Sequence, residues 1–282
     1  MIRSTLHAIL TIAVFTGLSF SASPGRTAET ISKHGIIMID IPAGSFQMGS
    51  CTATENKQNS FLGKPGCTVD TDASDSEGPL RKVTLREFQM GKTPVTLGQF
   101  KKFIADANRS DLVTNDFIKY NAYGDNAPVV WVSWIDAQAF IVWLNQTDGG
   151  GWRLPSEAEW EYACRAGGNH RYCGSDNIDD VGWYDGNSGK RLQAVGGKQA
   201  NAFGLHDMTG NVWEWTQDCW HDNYLGAPTD GSARTKNCIG NWRVLRGGTY
   251  QYDARIARAH ARDIDKPDER SSDDGFRLAR TN

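Results

Sequence analysis

From Ile37 onwards the chain alternates apolar and polar positions in short runs. Ile37, Ile39 and Ile41 stand between Met38 and Asp40, which predicts a strand, and Pro42 and Gly44 predict the turn after it. Val83, Leu85 and Phe88 resume strand character. The stretch between them, Cys51 to Pro79, is polar and aperiodic and predicts a long surface loop. The period then changes. Leu97, Phe100, Phe103, Ile104 and Ala107 share one helical face, with Thr96 placed to cap it. Ala137, Phe140, Ile141 and Leu144 repeat the form behind Ser133. In a third helix Ser156 and Glu159 have capping-box spacing, Trp160 and Ala163 lie on the apolar side, and Gly167 stops it. Beyond Gly167, glycine-rich turns separate short strands. No repeat or internal linker interrupts residues 35–282, so one α+β domain is the economical reading.

The first residues follow a different pattern. Arg3 precedes an apolar run from Leu6 to Phe20, and the small residues Ser21, Ala22 and Ser23 follow. This is the order of a secretory signal, too short and too polar for a comfortable membrane span. We expect a signal peptide at 1–23, a polar linker at 24–34, and a mature protein that is periplasmic or secreted, with no membrane span after cleavage.

Cysteine usage points to the same compartment. The six cysteines fall into three couples local in sequence. Sequence cannot choose among the possible pairings. Closing short loops is the simplest choice, which proposes Cys51–Cys67, Cys164–Cys173 and Cys219–Cys238. Each would contribute about 2–4 kcal/mol in an oxidising environment. No C-x-x-C motif or zinc-type spacing competes with this reading. Thirty glycines and ten tryptophans in 282 residues suggest an irregular fold, poor in regular secondary structure and pinned by aromatic anchors. A net charge of −3 creates no global field for nucleic acid.

Seven segments carry a family resemblance. They are "IPAGSFQMGS", "KTPVTLGQF", "PVVWVSWIDAQAF", "GWRLPSEAEWEYACRAG", "NAFGLHDMTGNVWEWTQD", "RVLRGGTY" and "DDGFRLAR". Together and in this order they resemble the sulfatase-modifying-factor family, whose best-known member is the formylglycine-generating enzyme. The resemblance covers nearly the whole mature chain. It implies a single-domain variant C-type lectin fold. It also implies a structural Ca²⁺ held by the side chains of Asp207 and Glu214 and the carbonyls of Gly210 and Val212. Oxygen ligands from two carboxylates and a tight Thr-Gly-Asn turn suit such a hard cation.

The same resemblance places a conspicuous difference near the C-terminus. In the formylglycine-generating enzyme, the segment after the paired glycines carries two redox cysteines that bind copper(I) and activate oxygen. Here the first position falls on Tyr252 and the second around Arg255 to Ala257. None of these residues is a soft sulfur ligand, so no copper is expected and the hallmark reaction is in doubt. The family's sulfur–histidine branch uses a three-histidine iron site, and the scattered histidines here do not suggest one.

Two functions then compete. In the first, Ala257, Ala259 and Ala261 alternate with Arg258, His260 and Arg262 as a strand, with alanines packed and large polar groups displayed. Tyr250, Tyr252, Asp253, Arg258, His260, Arg262 and Asp263 would then form a binding face for an unknown protein or small molecule. This region also resembles the variable region of retroelement-diversified proteins, which use the fold as a display scaffold. In the second, the chain is a cysteine-free, oxygen-dependent maturation enzyme acting on a protein or siderophore-type precursor. The family includes a periplasmic pyoverdine-maturation protein of that sort. His260 or His206 would accept a proton, with Asp253 as partner and Tyr252 lining the site. Arg270 and Arg277 are expected to form structural ion pairs.

Overall fold

A computed structural model describes residues 28–281. The expected signal peptide at 1–23 and the first residues of the expected linker lie outside the described residues. The chain opens with strands β1 (Glu29–Ile31), β2 (Ile37–Ile41) and β3 (Gly44–Met48), then helix α1 (Ala53–Phe61). Strands β4 (Arg81–Leu85) and β5 (Phe88–Gly91) lead into α2 (Leu97–Asp106), α3 (Asn115–Tyr120) and α4 (Trp134–Thr147). After β6 (Trp152–Arg153) come α5 (Glu157–Arg165), α6 (Ile178–Val181), β7 (Gly182–Trp183) and β8 (Thr209–Gly210). The last third supplies β9 (Trp213–Cys219), β10 (Arg243–Arg246), β11 (Arg262–Asp265), β12 (Asp274–Gly275) and β13 (Ala279–Arg280).

A five-stranded antiparallel sheet, in the order β1-β2-β5-β13-β6, separates two cores. On one face Met38 and Leu278 pack with Phe100, Phe103 and Phe140 from α2 and α4. On the other, Ile39, Ile41 and Met90 pack with Trp160 and Ala163 from α5. Both faces of β2 are therefore covered, and Met38 is buried as completely as Ile39. Each such large apolar side chain contributes about 1.5–3 kcal/mol on burial. A second sheet, β11-β10-β9-β12, delivers Trp213, Trp215 and Leu245 to the first core.

The helix starts follow local chemistry. Thr96, Ser133 and Ser156 each accept the backbone N–H three residues on, and Gln99, Asp136 and Glu159 reach back to complete capping boxes. After α5 the turn begins one residue earlier than expected, at Ala166, whose φ is 45°. Ala107 caps α2 from an exposed position instead of joining the core face.

Two expectations from the sequence change. The stretch 51–79 is not wholly loop, because α1 forms inside it. Thr52 caps α1 by accepting from Glu55 N–H at 3.1 Å. No residue of α1 is buried, so the helix carries no apolar stripe by which it could be read. The stretch 24–34 is not only linker, because β1 pairs there with β2. Its three residues are exposed and show no alternation of burial.

Candidate functional site

β10 ends at Arg246, and Gly247 and Gly248 follow with φ of 103° and 78°. A Cβ on Gly248 would lie 2.7 Å from Ala257 Cα. Glycine is needed there because the chain doubles back against it. Ala254–Ala257 wind into a 3-10 turn, with Asp253 Oδ1 accepting from Arg255 N–H at 2.8 Å. β11 begins only at Arg262, so the strand expected through residues 257–262 does not form.

The alanines are packed as expected, but the polar groups are not displayed. Ala257, Ala259 and Ala261 are buried, and so are the side chains of Arg258 and Arg262. Arg258 donates to both carboxylate oxygens of Glu77, at 2.8 and 2.9 Å, to Asp70 at 2.8 Å and to the Asp72 carbonyl at 3.0 Å. Arg262 forks onto Glu157 at 2.6 and 3.0 Å and sits 4.4 and 4.5 Å from the Trp220 and Tyr224 ring centroids. Both arginines are scaffold. They reach carboxylates far away in sequence, which no local alternation can reveal.

The other expected residues are not brought together on one face. Tyr250 is core, packed with Val130, Leu192 and Val212. Tyr252 is 56% exposed. Asp253 pairs with the exposed Arg255 at 2.8 Å, far from the role of partner to His260. His206 Nδ1 lies 2.9 Å from the Lys198 carbonyl, so that nitrogen carries its proton. Arg270 and Arg277 form the expected pairs, with Asp136 and Glu214 respectively.

His260 lines an open cleft of about 630 Å³ with Ser50, Asp70, Arg165, His170 and Arg171. Arg165 Nη2 donates to His260 Nδ1 at 2.6 Å, and Asp70 Oδ2 stands 3.8 Å from Nε2. Burial, with Arg165 and Arg258 adding to it, pushes the His260 pKa down to about 4, against the opposing pull of Glu161 and Glu77. Behind it Glu161 is fully buried. Burial opposes its charge, but Arg165 and Arg246 overcome that and hold its pKa below the usual carboxylate range. Thr71 joins this cleft to a second of about 500 Å³, lined by Asp72, Glu77, Trp213, Ile256, Arg258 and Asp263. Arg258 and the Arg171–Asp72 pair pin the Asp70–Glu77 segment between the two clefts.

The turn expected to hold a cation has left-handed backbone at Asp207, Gly210 and Asn211. Asp207 Oδ2 accepts from Gly196 N–H at 2.7 Å, while its Oδ1 is buried without a hydrogen-bond partner. Burial, with Glu214 adding to it, raises the Asp207 pKa. Glu214 is fully buried, paired with Arg277 at 2.6 and 2.7 Å and bonded by Trp160 Nε1 at 2.7 Å. An orphaned buried carboxylate oxygen beside a second carboxylate fits a hard cation.

A family model for the sulfatase-modifying factor enzyme 1-like domain matches residues 25–282. The chain belongs to this family. Formylglycine-generating enzyme of Streptomyces coelicolor is 30% identical, over 92% of this chain and 93% of that protein. A Bos taurus protein described as inactive C-alpha-formylglycine-generating enzyme 2 is 28% identical, over 90% and 91%. The solved structure of PvdO from Pseudomonas aeruginosa superposes with a TM-score of 0.77 at 30% identity, covering 91% of this chain and 99% of that one. The sulfatase-modifying-factor resemblance read from the seven segments is thus the family of the chain, and the single α+β domain is the fold of its solved relatives.

The family frame also locates what differs. At the first cysteine position Tyr252 is exposed. At the second, Arg255 is exposed, Ile256 is half-buried and Ala257 is sealed against Gly248. All six cysteines form the three short-range disulfides, with Cα–Cα distances of 5.9, 4.7 and 5.5 Å, and none is free. The sequence reading missed Asp70, Glu77, Arg165 and Arg171. Asp70 and Glu77 lie in the stretch read as loop, and Asp70 is 188 positions from its partner Arg258. The acidic run "DTDASDSE" was a usable hint, since so many carboxylates invite arginine partners.

Proposed function

We propose that this chain is an extracytoplasmic ligand- or protein-binding member of the family, an accessory factor and not a formylglycine generator. One observation carries the reading. The segment that holds copper thiolates in the formylglycine-generating enzyme here offers Tyr252 and a 3-10 turn, and every cysteine is committed to a disulfide. Cu(I) needs soft ligands, and this chain has no thiolate to give. What remains is a pair of joined clefts, the second lined by Trp213 and by Arg255 of the exposed Asp253–Arg255 pair, the mixed aromatic and polar chemistry of recognition surfaces. Such a lining also suits a display scaffold.

Three disulfides and the leader-like N-terminus support a periplasmic or secreted location. No described helix is long and apolar enough to cross a membrane. In this reading Asp207 and Glu214, with the carbonyls of Gly210 and Val212, hold a structural Ca²⁺. The ion would satisfy the buried Asp207 carboxylate and tie the turn to β9.

A second reading is an oxygen-dependent maturation enzyme for a protein or siderophore-type precursor, in which His260 would act as a hydrogen-bond donor and not as the expected proton acceptor, because Arg165 occupies Nδ1. The neutral imidazole presents one fixed N–H at the cleft wall. The 30% likeness to PvdO favours looking for it.

The test uses the full chain expressed with its own leader. Cu(I) is titrated against a competing chelator, and a cysteine-containing sulfatase-type peptide is incubated with oxygen and followed by mass. We expect neither stoichiometric copper retention nor peptide oxidation, and both together would overturn the proposal. Oxygen uptake with a siderophore precursor that is lost in His260→Ala would select the second reading.

A further inference from the structure

α1 buries none of its residues, yet the loop that carries it is held in shape at both ends. The Cys51–Cys67 disulfide joins its base. Asn56 Oδ1 accepts from Cys67 N–H at 3.2 Å and ties the returning chain to the first turn of the helix. At the far end Leu62 N–H donates to the Gln58 carbonyl at 3.0 Å and Lys64 N–H to the Asn59 carbonyl at 2.9 Å, around a left-handed Gly63. Ordering a loop costs conformational entropy, and here no buried apolar side chain of the helix offsets it. An element fixed in this way without packing inward is available for contacts outside the chain.

The tip of the loop is apolar. Phe61 is 90% exposed and Leu62 60%, the only adjacent pair among the exposed large hydrophobic residues described. Every residue from Ser60 to Gly66 is exposed, so the pair projects from the surface. Single apolar residues on a surface are ordinary, whereas a projecting pair marks a contact. The charge around it has one sign. Between Asn56 and Gly66 the ionisable residues are Lys57 and Lys64 alone. Both are exposed, and among the described residues neither ammonium has an ion-pair or hydrogen-bond partner. Lys57 lies one turn before Phe61 and shares its helix face. The nearest acids along the chain are engaged elsewhere. Glu55 accepts from Leu80 N–H at 3.1 Å, and Asp70 pairs with Arg258 at 2.8 Å.

We propose that the Phe61–Leu62 tip docks this protein on an anionic lipid bilayer. Phe61 and Leu62 enter the boundary between headgroups and acyl chains. Lys57 and Lys64 stay at the level of the lipid phosphates, with their stems along the apolar pair. A projecting apolar tip suits a soft surface that closes around it, and the two free ammonium groups match the negative potential of that surface. The net charge of −3 does not oppose docking, because exposed charges more than about 8 Å away are largely screened at physiological salt. Cys51 and Thr68 to Asp70, at the base of the same loop, line the 630 Å³ cleft. Docking therefore holds that cleft close to the bilayer. The proposal goes beyond the binding reading above and does not depend on it.

The exported chain, checked by mass for removal of its apolar leader, is floated with two kinds of vesicle. One is phosphatidylcholine mixed with phosphatidylglycerol, the other phosphatidylcholine alone. Binding to the mixed vesicles should be at least about tenfold tighter. Phe61→Ser and Leu62→Ser should each weaken it by about tenfold or more. Lys57→Gln and Lys64→Gln should each weaken it by about fivefold. Ile118→Ser, at a comparably exposed apolar position on α3, should bind as wild type. All five positions are exposed, and melting curves check that each variant is folded. Phe61→Trp gives a second readout, since its added fluorescence should shift to the blue on the mixed vesicles. Absence of vesicle binding, or wild-type binding by folded Phe61→Ser and Leu62→Ser, overturns the proposal. Loss confined to the lysine variants overturns it too, since that is adsorption by charge without insertion. Capture of a protein through the tip, with no vesicle binding, does the same. Copper retention with peptide oxidation would remove the binding reading and leave this proposal standing.

Discussion

Arg165 Nη2 lies 2.6 Å from His260 Nδ1. A guanidinium has only protons to give. Nδ1 must therefore present its lone pair, and Nε2 carries the proton into the cleft towards Asp70. The pKa is lowered to about 4, so the fold favours the neutral ring. For a histidine shifted down, the stability this contributes is present above the unfolded pKa of about 6.5 and is lost as pH falls from there towards the folded value. Nitrogen-15 spectra should show the Nε2–H tautomer with no titration between about pH 5 and 8. Arg165→Gln should bring titration into that window. A wild-type imidazole titrating near its ordinary value would contradict the arrangement.

Arg258 and Glu77 are both buried, and Arg258 also holds Asp70. Removing one member of such a network strands the others without counter-charge. Arg258→Ala should cost about 3–5 kcal/mol in urea denaturation. Arg255→Ala, whose pair with Asp253 is in solvent, should leave the unfolding midpoint unchanged. Equal effects of the two substitutions would show that the Asp70–Glu77 segment is not held as described.

Asp218 is buried beneath Arg234 and α5. Its oxygens accept backbone N–H groups from Glu157 and Arg234 at 2.8 and 2.7 Å. Burial and the Glu157 charge outweigh those bonds and raise its pKa to about 7. The folded state therefore keeps a proton that the unfolded chain loses near pH 4. The stabilisation is full below about pH 4 and lost as pH rises towards 7. The melting temperature of wild type relative to Asp218→Asn should fall by several degrees across that interval and then level off. A difference independent of pH would disprove the assignment.

Calcium binding at Asp207 should raise the melting temperature, since an ion bound only to the folded state stabilises by about 2.7 kcal/mol at one hundred times its dissociation constant. Chelation should reverse the rise, and Asp207→Ala should abolish the response. A wild-type protein indifferent to both calcium and chelator would show that the orphaned Oδ1 of Asp207 holds no such ion.

Much of the scaffold was legible because its causes are local. The capping boxes at Thr96, Ser133 and Ser156 each lie within four residues. The three disulfides close loops with sequence separations of 9 to 19. α1 escaped notice because its stability comes from a cap and a disulfide, with no apolar stripe. The candidate site was legible only in outline. His260 and Asp263 do line the joined clefts, while Tyr250, Arg258 and Arg262 proved to be parts of the frame.

The sequence by itself determined the family, the helices with amphipathic faces and the absence of cysteine where copper chemistry would need thiolates. These follow from residue identity and short-range periodicity. Only the tertiary structure decided which charges are buried and which are free. Arg258 meets Glu77 across 181 positions and Arg262 meets Glu157 across 105. Once desolvated, each guanidinium is stable only beside its carboxylate. That pairing is set by how the sheets and the Asp70–Glu77 segment pack.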